Sequence, residues 1–418
     1  MNFAIINLGC KVNRVESDTI AAACLARGSH EVDSAAADII FINTCTVTGE
    51  AEKKTRKAVR RALRENTTAR VVVTGCAAAI APEVFSTMGN RVIVEPDKAK
   101  VIEAFDELVP LSRHGDSDEQ ASDKVAVRVG REFPTRAGIK VQDGCNNACT
   151  YCIVHVARGP AWNRSINEIV EETVAHARAG VKEIVLSGIN LGSFNDEGLS
   201  LVELLKAILA KTSGVRFRLS SIEPRDVDDA LIALMQQEEG RICRHLHLPL
   251  QSGSTEVLRQ MARPYTAQAY EDLVQRLYAA MPMLSLSTDI IVGFPGETES
   301  QFEETLVLAQ RSRFSKIHVF PYSRREGTPA AERIDQIDPH CKAERASRLN
   351  QLGEALHEQS FNDRIGGTEQ VIVERRGRGT TESYFDISVP AEAVPGDLIE
   401  LRLERQFEGK FTFLPPSK

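Results

Sequence analysis

The chain has 418 residues, 42% of them hydrophobic and 26% charged, with a formal net charge of −7 and a pI near 5.8. These are the values of an ordinary folded soluble chain, with room for about three domains at the usual ~150 residues each. They argue against a bulk polyanion binder, whose affinity comes from neutralising phosphates, so a nucleic acid must be met by local basic patches. No apolar run is long enough to span a bilayer, and residues 3–8 are too short and too poorly flanked for a signal peptide. The expected location is therefore cytoplasmic, with no membrane partner. Nine cysteines, an odd number, in such a compartment predict reduced thiols and metal ligation in place of a disulfide framework.

The N-terminal segment alternates apolar runs with amphipathic ones. Strands over 3–8, 38–43 and 70–74 are followed by helices over 16–27, 51–65 and 82–88. Such alternation predicts an open parallel sheet with right-handed crossovers, which puts every strand's carboxyl end on one edge. A cysteine follows each strand there: Cys10 in Gly9-Cys10-Lys11-Val12-Asn13, Cys45 in Asn43-Thr44-Cys45-Thr46, and Cys76 in Thr74-Gly75-Cys76-Ala77. Three thiols in equivalent places, at the crevice where open α/β sheets bind ligands, predict a metal-cluster site favoured by helix N-termini. Cys24 lies mid-helix on an apolar stretch and is expected in the core; Cys243 and Cys341 have no ligand-spaced partner nearby.

The second helix carries Lys53, Lys57, Arg60 and Arg64 on one face by the i, i+3, i+4 rule. A stripe of this kind either holds phosphates or is a solvated face, and the pattern fits both. Residues 114–123 are polar, acidic and without periodicity, and read as an interdomain linker.

After that linker comes Gly144-Cys145-Asn146-Asn147-Ala148-Cys149-Thr150-Tyr151-Cys152. Three thiolates spaced C-x3-C-x2-C can converge on one cluster while leaving one metal atom without a protein ligand, unlike the paired C-x-x-C units that close a structural zinc site. Strands are expected over 138–142, 183–187, 216–219, 245–248, 285–292 and 316–320, separated by helices such as 166–179 and 299–313. Six βα units fall short of the eight that close a full barrel and would leave a side gap for a large substrate. Polar and glycine-containing clusters at the strand ends make Gly188, Glu223, Gln251 and Gly293 the candidate cofactor-binding residues. His245 and His247 share one strand face and are expected to fill the pore.

A helix over 339–361 leads into short strands over 369–374, 383–389, 397–403 and 410–414, which predict a small β-barrel. Arg375, Arg376, Arg378, Arg402 and Arg405 with Tyr384, Phe407 and Phe411 could form an RNA-binding surface. The interleaved glutamates fit a plain accessory domain equally well.

The spacing of Cys145, Cys149 and Cys152, with the aromatic Tyr151, resembles the radical S-adenosylmethionine (SAM) superfamily. With Cys10, Cys45 and Cys76 added, the chain resembles the methylthiotransferase family over nearly its whole length. Ser220-Ser221-Ile222-Glu223-Pro224, Leu248-Pro249-Leu250-Gln251-Ser252-Gly253, Gly293-Phe294-Pro295-Gly296-Glu297-Thr298 and Pro321-Tyr322-Ser323-Arg324-Arg325-Glu326-Gly327-Thr328-Pro329 also look like its motifs. The resemblance implies an α/β architecture of three parts: an auxiliary-cluster domain over 1–115, a radical SAM partial (β/α)6 barrel over 131–361, and a TRAM-like β-barrel over 362–418. It implies two 4Fe-4S clusters and SAM as cofactors, with Cys145, Cys149 and Cys152 catalytic. It also implies that a SAM-derived radical takes hydrogen from carbon 2 of an adenine and that the auxiliary cluster supplies the sulfur.

Within the family, Gly9-Cys10-Lys11-Val12-Asn13 is similar to the branch acting on N6-threonylcarbamoyladenosine in the tRNA anticodon stem-loop. The isopentenyladenosine branch usually has Gln-Met at the middle positions and the ribosomal-protein branch Pro-Lys; both remain alternatives, as does, from another class, an iron-sulfur electron-transfer protein. Two departures from the family pattern flank the central loop: Trp162-Asn163-Arg164 where an Arg-Ser-Arg run is usual, and His155 where proline is common. The implied partners are tRNA and an electron donor such as a flavodoxin or ferredoxin.

Overall fold

Alternate residues of the first strands face opposite sides, and this decides how the N-terminal segment is built. The computed structural model describes residues 1–46, 49–108, 135–407 and 410–414, so the expected linker over 114–123 lies outside the described residues. Two compact units result. The first contains 1–108 with Gly144–Asn146 and Ile153–Ala161; the second contains 135–143, Asn147–Cys152 and 162 onward.

In the first unit, β1 (Asn2–Asn7), α1 (Lys11–Ala26), β2 (His30–Glu31), β3 (Ile39–Thr44), α2 (Gly49–Glu65), β4 (Arg70–Gly75), α3 (Cys76–Ile80), α4 (Pro82–Ser86), β5 (Val92–Val94) and α5 (Lys98–Leu108) follow in order, joined by α6 (Val154–Arg158). All five strands are parallel, in the order β2-β1-β3-β4-β5. Phe3, Ile39, Phe41 and Val72 pack on Ile20, Cys24, Val101 and Phe105 of α1 and α5. Their neighbours Ala4, Ile40, Ile42, Val71 and Val73 pack on Val59, Ala62, Ala77, Ala78 and Phe85 of α2, α3 and α4. The sheet is thus doubly wound, and Cys24 is core as expected. Three details differ from the sequence reading. Helix α1 begins at Lys11, not 16, because Cys10 already takes the extended N-cap conformation, with φ −77° and ψ −173°. The short pair β5 and α5 was not anticipated. The predicted helix over 82–88 ends at Ser86.

The second unit opens with β6 (Ala137–Lys140), the ribbon of β7 (Gln142–Asp143) and β8 (Trp162–Asn163), α7 (Ile166–Arg178), β9 (Glu183–Ser187), the ribbon of β10 (Asn195–Asp196) and β11 (Leu199–Ser200), α8 (Leu201–Lys211) and β12 (Arg216–Leu219). It continues with α9 (Asp229–Gln237), β13 (His245–His247), α10 (Thr255–Gln260), α11 (Ala267–Ala280), β14 (Ser285–Val292), α12 (Glu299–Arg311), β15 (Lys316–Pro321), α13 (Pro329–Glu332) and α14 (Pro339–Asn362). Strands β6-β9-β12 form one parallel set and β13-β14-β15 another. Single parallel bridges, Phe217 with Ile242 and Ser221 with His247, link the sets into the expected six-stranded series. Sharp helix starts come from side-chain caps: Ser200 and Thr298 form capping boxes with Glu203 and Gln301.

The C-terminal segment, β16 (Thr368–Arg375), β17 (Arg378–Thr381), β18 (Asp386–Ile387), β19 (Leu398–Phe407) and β20 (Lys410–Leu414), forms a five-stranded antiparallel sheet in the order β18-β17-β16-β19-β20. Its core of Val371, Val373, Phe385, Ile387, Val389, Leu401 and Leu403 closes on Phe361 of α14. The strand predicted over 383–389 is a correction. Pairing with β16 is made by β17, and Tyr384 turns the chain with φ +71°, leaving only Asp386–Ile387 extended against β17.

This sheet is tied to the barrel strands by a buried charge cluster. Glu183 accepts from Arg216 Nε at 2.6 Å and Arg218 Nε at 2.7 Å. The same guanidinium groups donate to backbone carbonyls of Gln370 at 2.8 Å and Thr381 at 2.9 Å. Burial alone would raise the Glu183 carboxyl, but Arg218, Arg216 and Arg136 outweigh it and hold the group well below the usual carboxylate range. Glu183→Gln is therefore expected to leave two guanidiniums uncompensated and to lose ~3–5 kcal/mol of stability in chemical denaturation. Because the folded pKa is depressed, the contribution is present above the unfolded value of ~4.3 and is lost as pH falls below it. An unchanged denaturation midpoint at pH 7 would contradict this account.

Candidate functional site

The strand order of the first unit locates its site. In a 2-1-3-4-5 sheet the order in which strands are added reverses between β1 and β3, and the crevice opens at their carboxyl ends. Asn7 is in register with Asn43, and Thr44 with Gly75. Cys10, Cys45 and Cys76 all lie just beyond these pairs. Thr44 Oγ1 donates to the Thr74 carbonyl at 2.6 Å and accepts from Ala77 N at 3.1 Å, locking the turn beside Cys45 to the start of α3. Gly75 sits at φ +91°, and a Cβ there would come within 2.5 Å of Asn43 Oδ1 and 2.6 Å of the Thr44 carbonyl, so only glycine allows this approach.

Two of these thiols, the exposed Cys10 and the buried Cys76, lie beside charged side chains of the first unit. Cys10 Sγ donates to Asn13 Oδ1 at 3.2 Å, and the same oxygen accepts from Arg158 Nη2 at 3.1 Å. Asn13 Nδ2 is anchored to Asn43 Oδ1 at 2.7 Å. Arg158 also pairs with Glu16 Oε1 at 3.0 Å and hydrogen-bonds the Cys76 thiol. Lys98 completes the group through its own ion pair with Glu16. Burial pushes the Cys76 thiol up, with Arg158 and Lys98 pulling it back. Burial and the neighbouring Arg158 lower Lys98, with Glu16 acting in the opposite sense. Thiolates are the ligand form of cysteine, and two cations beside Cys76 are the surroundings that stabilise them. The donor set fits a negatively charged metal cluster.

The second triplet lies in the loop between β7 and β8. Gly144 has φ +69°, and a Cβ would stand 2.0 Å from the Pro160 carbonyl. Cys145 N donates to the Gly159 carbonyl at 3.2 Å, and Asn146 Oδ1 accepts from Ala161 N at 2.9 Å. In the second unit, Cys152 N bonds the Cys149 carbonyl at 3.1 Å, while Thr150 is held on Met261 and Gln260. Arg263 Nη1 donates to Cys149 Sγ at 3.2 Å, and its other nitrogens pair with Glu223 and with Tyr265 Oη at 3.0 Å. Burial raises the Glu223 carboxyl and Arg263 opposes it. A guanidinium on a cysteine sulfur again fits a thiolate ligand.

The four candidate cofactor residues occupy strand ends. Gly188 packs against Gln142, where a Cβ would come within 2.9 Å of Oε1. Gln251 takes φ +66° and inserts its backbone beside β14, donating to the Asp289 carbonyl at 2.9 Å. Gly293, at φ +70°, gives its N–H to Glu297, and the Lys342 side chain fills the space where a Cβ would lie, 2.4 Å from its Cγ. His245 Nε2 and His247 Nδ1 each lie 2.9 Å from Ser287 Oγ, so both are hydrogen-bonded fillers of one strand face. His247, Asp289 and His318 present ligand atoms within 4.8 Å of one another on adjacent strands.

Some residues escaped sequence reading. Arg158 was visible only as a flank of the loop, and Asn13, Glu16 and Lys98 carry no motif that links them to Cys76. Arg263 has no spacing relation to Cys149. Tyr384 is 36% exposed, with Arg218 over its ring at 4.8 Å and the tilted His245 ring at 4.8 Å. Arg402 donates to the Gly366 carbonyl, while the side chains of Arg405, Phe407 and Phe411 lie outside the described residues. On α2, Lys53, Lys57, Arg60 and Arg64 are all exposed, whereas Arg56 and Arg61 pair with Glu52 and Glu65.

Comparison with known proteins agrees with this geometry. The Radical SAM superfamily matches residues 139–309, and the uncharacterized protein family UPF0004 matches residues 2–94. The chain is 37% identical over 396 residues to the threonylcarbamoyladenosine tRNA methylthiotransferase MtaB of Bacillus subtilis (strain 168), covering 91% of this chain and 86% of that one. Against the protein of the same name from Thermotoga maritima the identity is 36%, covering 88% and 85%. The tRNA-2-methylthio-N(6)-dimethylallyladenosine synthase of Carboxydothermus hydrogenoformans is 33% identical, covering 90% and 89%. Among solved structures, the radical S-adenosylmethionine methyltransferase TsrM from Kitasatospora setae, with cobalamin and a 4Fe-4S cluster bound, shares the fold at a TM-score of 0.56 and 15% identity, covering 79% of this chain and 77% of that one. With these relatives matched along most of their length, the chain belongs to the methylthiotransferase family of radical SAM proteins.

Proposed function

We propose that this chain is an enzyme that adds a methylthio group to carbon 2 of N6-threonylcarbamoyladenosine at position 37 of tRNA, next to the anticodon. The observation that carries the reading is full-length similarity, at 31–37% identity, to proteins named for that reaction. The finer assignment follows the three segments read from the sequence. Residues 1–115 hold an auxiliary 4Fe-4S cluster through Cys10, Cys45 and Cys76. Residues 131–361 hold the radical SAM cluster through Cys145, Cys149 and Cys152, with Gly188, Glu223, Gln251 and Gly293 around SAM. Residues 362–418 form a TRAM-like RNA-binding part.

When bound, the clusters and SAM supply one-electron reductive cleavage and a transferable sulfur. The chain's own groups do the rest. Arg263 fixes Cys149 and neutralises the partly buried Glu223 beside it. Asn13 and Arg158 hold Cys10 and Cys76 on one network. A small one-electron donor such as a flavodoxin or ferredoxin is the partner such chemistry requires, and the cytoplasm is where tRNA and such a donor meet. No helix among the described residues is long and apolar enough to cross a membrane.

A second reading is favoured by the 33% identity to the dimethylallyladenosine enzyme, which would make isopentenyladenosine the substrate. Nucleoside mass spectrometry on tRNA from a host lacking the modification, with and without this gene, separates the two. A methylthio group on threonylcarbamoyladenosine is expected; its appearance on isopentenyladenosine selects the second reading, and unmodified tRNA rejects both. Replacing Cys145, Cys149 and Cys152 with Ala is expected to abolish SAM cleavage. Replacing Cys10, Cys45 and Cys76 should spare cleavage to 5′-deoxyadenosine and stop sulfur insertion, so thiolated product from that variant would refute the division of roles.

The exposed stripe on α2 supplies phosphate contacts in this reading. The triple reversal of Lys57, Arg60 and Arg64 to Glu is expected to weaken tRNA binding at least ~tenfold. It should also flatten the log-log salt dependence by roughly 0.7–0.9 per lost contact. Equal affinity at low salt would remove α2 from the interface.

A further inference from the structure

The chain has a single tryptophan, Trp162, and it is 46% exposed. It heads the first of the two departures from the family pattern, Trp162-Asn163-Arg164. An indole left at the surface gives up a large apolar burial, but one held rigidly is ready to take a flat partner on its face. This one is held. Trp162 opens β8 and pairs in antiparallel register with Asp143, while Asn163 pairs with Gln142. Asn163 Nδ2 donates to the Asn195 carbonyl at 2.9 Å, and Arg164 N donates to the Val141 carbonyl at 3.0 Å, so the ribbon is fastened to two neighbouring segments. Lys140 Nζ lies 5.3 Å from the indole ring centroid, within cation–π range, and pairs with Asp143 Oδ2 at 2.9 Å. The ribbon closes the loop that carries Cys145, Cys149 and Cys152, and Asp143, opposite Trp162, stands just before Gly144-Cys145 in the chain.

We propose that Trp162 is a platform on which an unpaired base of the tRNA substrate stacks, at the foot of the cysteine loop. The inference rests on the tRNA reading made under the proposed function and adds to it a contact with a base instead of a phosphate. Every nucleobase offers a π-face, so an exposed aromatic side chain can take any unpaired base, whereas a base within a duplex has its faces covered by its neighbours. RNA is accordingly recognised at loops, where bases splay onto aromatic rings. The ordering cost is low here, because an indole turns about two side-chain torsions and the backbone of Trp162 is already fixed by β7. With a net charge of −7 the chain has little general attraction for RNA, so a contact that does not depend on phosphate charge adds affinity where the bulk composition supplies none.

The test uses the anaerobically reconstituted full chain and a labelled anticodon stem-loop RNA bearing N6-threonylcarbamoyladenosine, with binding read by fluorescence anisotropy. Trp162→Ala should weaken binding about tenfold or more, and Trp162→Phe, which keeps an aromatic face, should retain most of the parent's affinity. Stacking releases no counterion, so the loss in Trp162→Ala should be the same factor at every salt concentration and leave the log-log slope of the parent unchanged. A fully paired RNA duplex of the same length should bind the parent and Trp162→Ala equally. Bound stem-loop should also quench the emission of the parent's one tryptophan, after correction for absorption by the clusters. An indole that merely braces the cysteine loop would instead lower the iron content of Trp162→Ala and weaken stem-loop and duplex alike, and that result overturns the inference. So does equal stem-loop affinity in the parent and Trp162→Ala. A parent that binds no stem-loop removes the tRNA reading and this inference with it, whereas stem-loop binding that ignores Trp162 removes only the inference.

Discussion

Parallel strand direction is the constraint on which both candidate sites depend. A strand that must be followed by a crossover helix returns to the same edge of the sheet, so whatever follows each strand collects at its carboxyl end. In the first unit this brings residues that are 35 and 31 positions apart, Cys10, Cys45 and Cys76, to neighbouring strand ends, with the pairing of Thr44 and Gly75 setting their level. In the second unit the same rule lines up Gly188, Glu223, Gln251 and Gly293 after successive strands. The cysteines do not hold the sheet together; the alternating apolar faces of β1, β3 and β4 do, and the thiols are passengers at its rim.

Buried arginines serve two different ends in this molecule. Around Glu183 the guanidiniums of Arg216 and Arg218 spend their hydrogen bonds on a carboxylate and on carbonyls of the C-terminal sheet, which is a structural use. Arg158 and Arg263 each share a carboxylate too, Glu16 and Glu223, but each also reaches a cysteine sulfur. The repetition of one device at both triplets, a carboxylate-oriented guanidinium aimed at a thiol, has a physical basis. A carboxylate fixes the planar fork of arginine, and the fork then presents a localised positive charge where a thiolate ligand needs it.

Glycine does complementary work at the same places. At Gly75 and Gly144 the backbone adopts positive φ in contact with neighbouring backbone, and any side chain would displace the segment that carries the next cysteine. Both glycines immediately precede a cysteine of a triplet, so the turn that presents the thiol and the residue that permits the turn are adjacent in sequence.

Much of this is legible in the sequence. Local periodicity marks the strands and helices because alternation and the 3.6-residue repeat are properties of neighbouring residues, and the six candidate ligand cysteines are legible because each follows a strand or a fixed spacing. The boundaries that moved did so for local conformational reasons: Cys10 starts α1 early as its N-cap, and Tyr384, at positive φ, interrupts the strand expected over 383–389. What the sequence by itself determined is the order of elements, the parallel sense of the sheets and the set of thiols. What only the tertiary structure decided is the charge around those thiols. Arg158 meets Glu16 across 142 positions and Arg263 meets Cys149 across 114, and pairings at that separation are set by packing of whole elements, which no local pattern encodes.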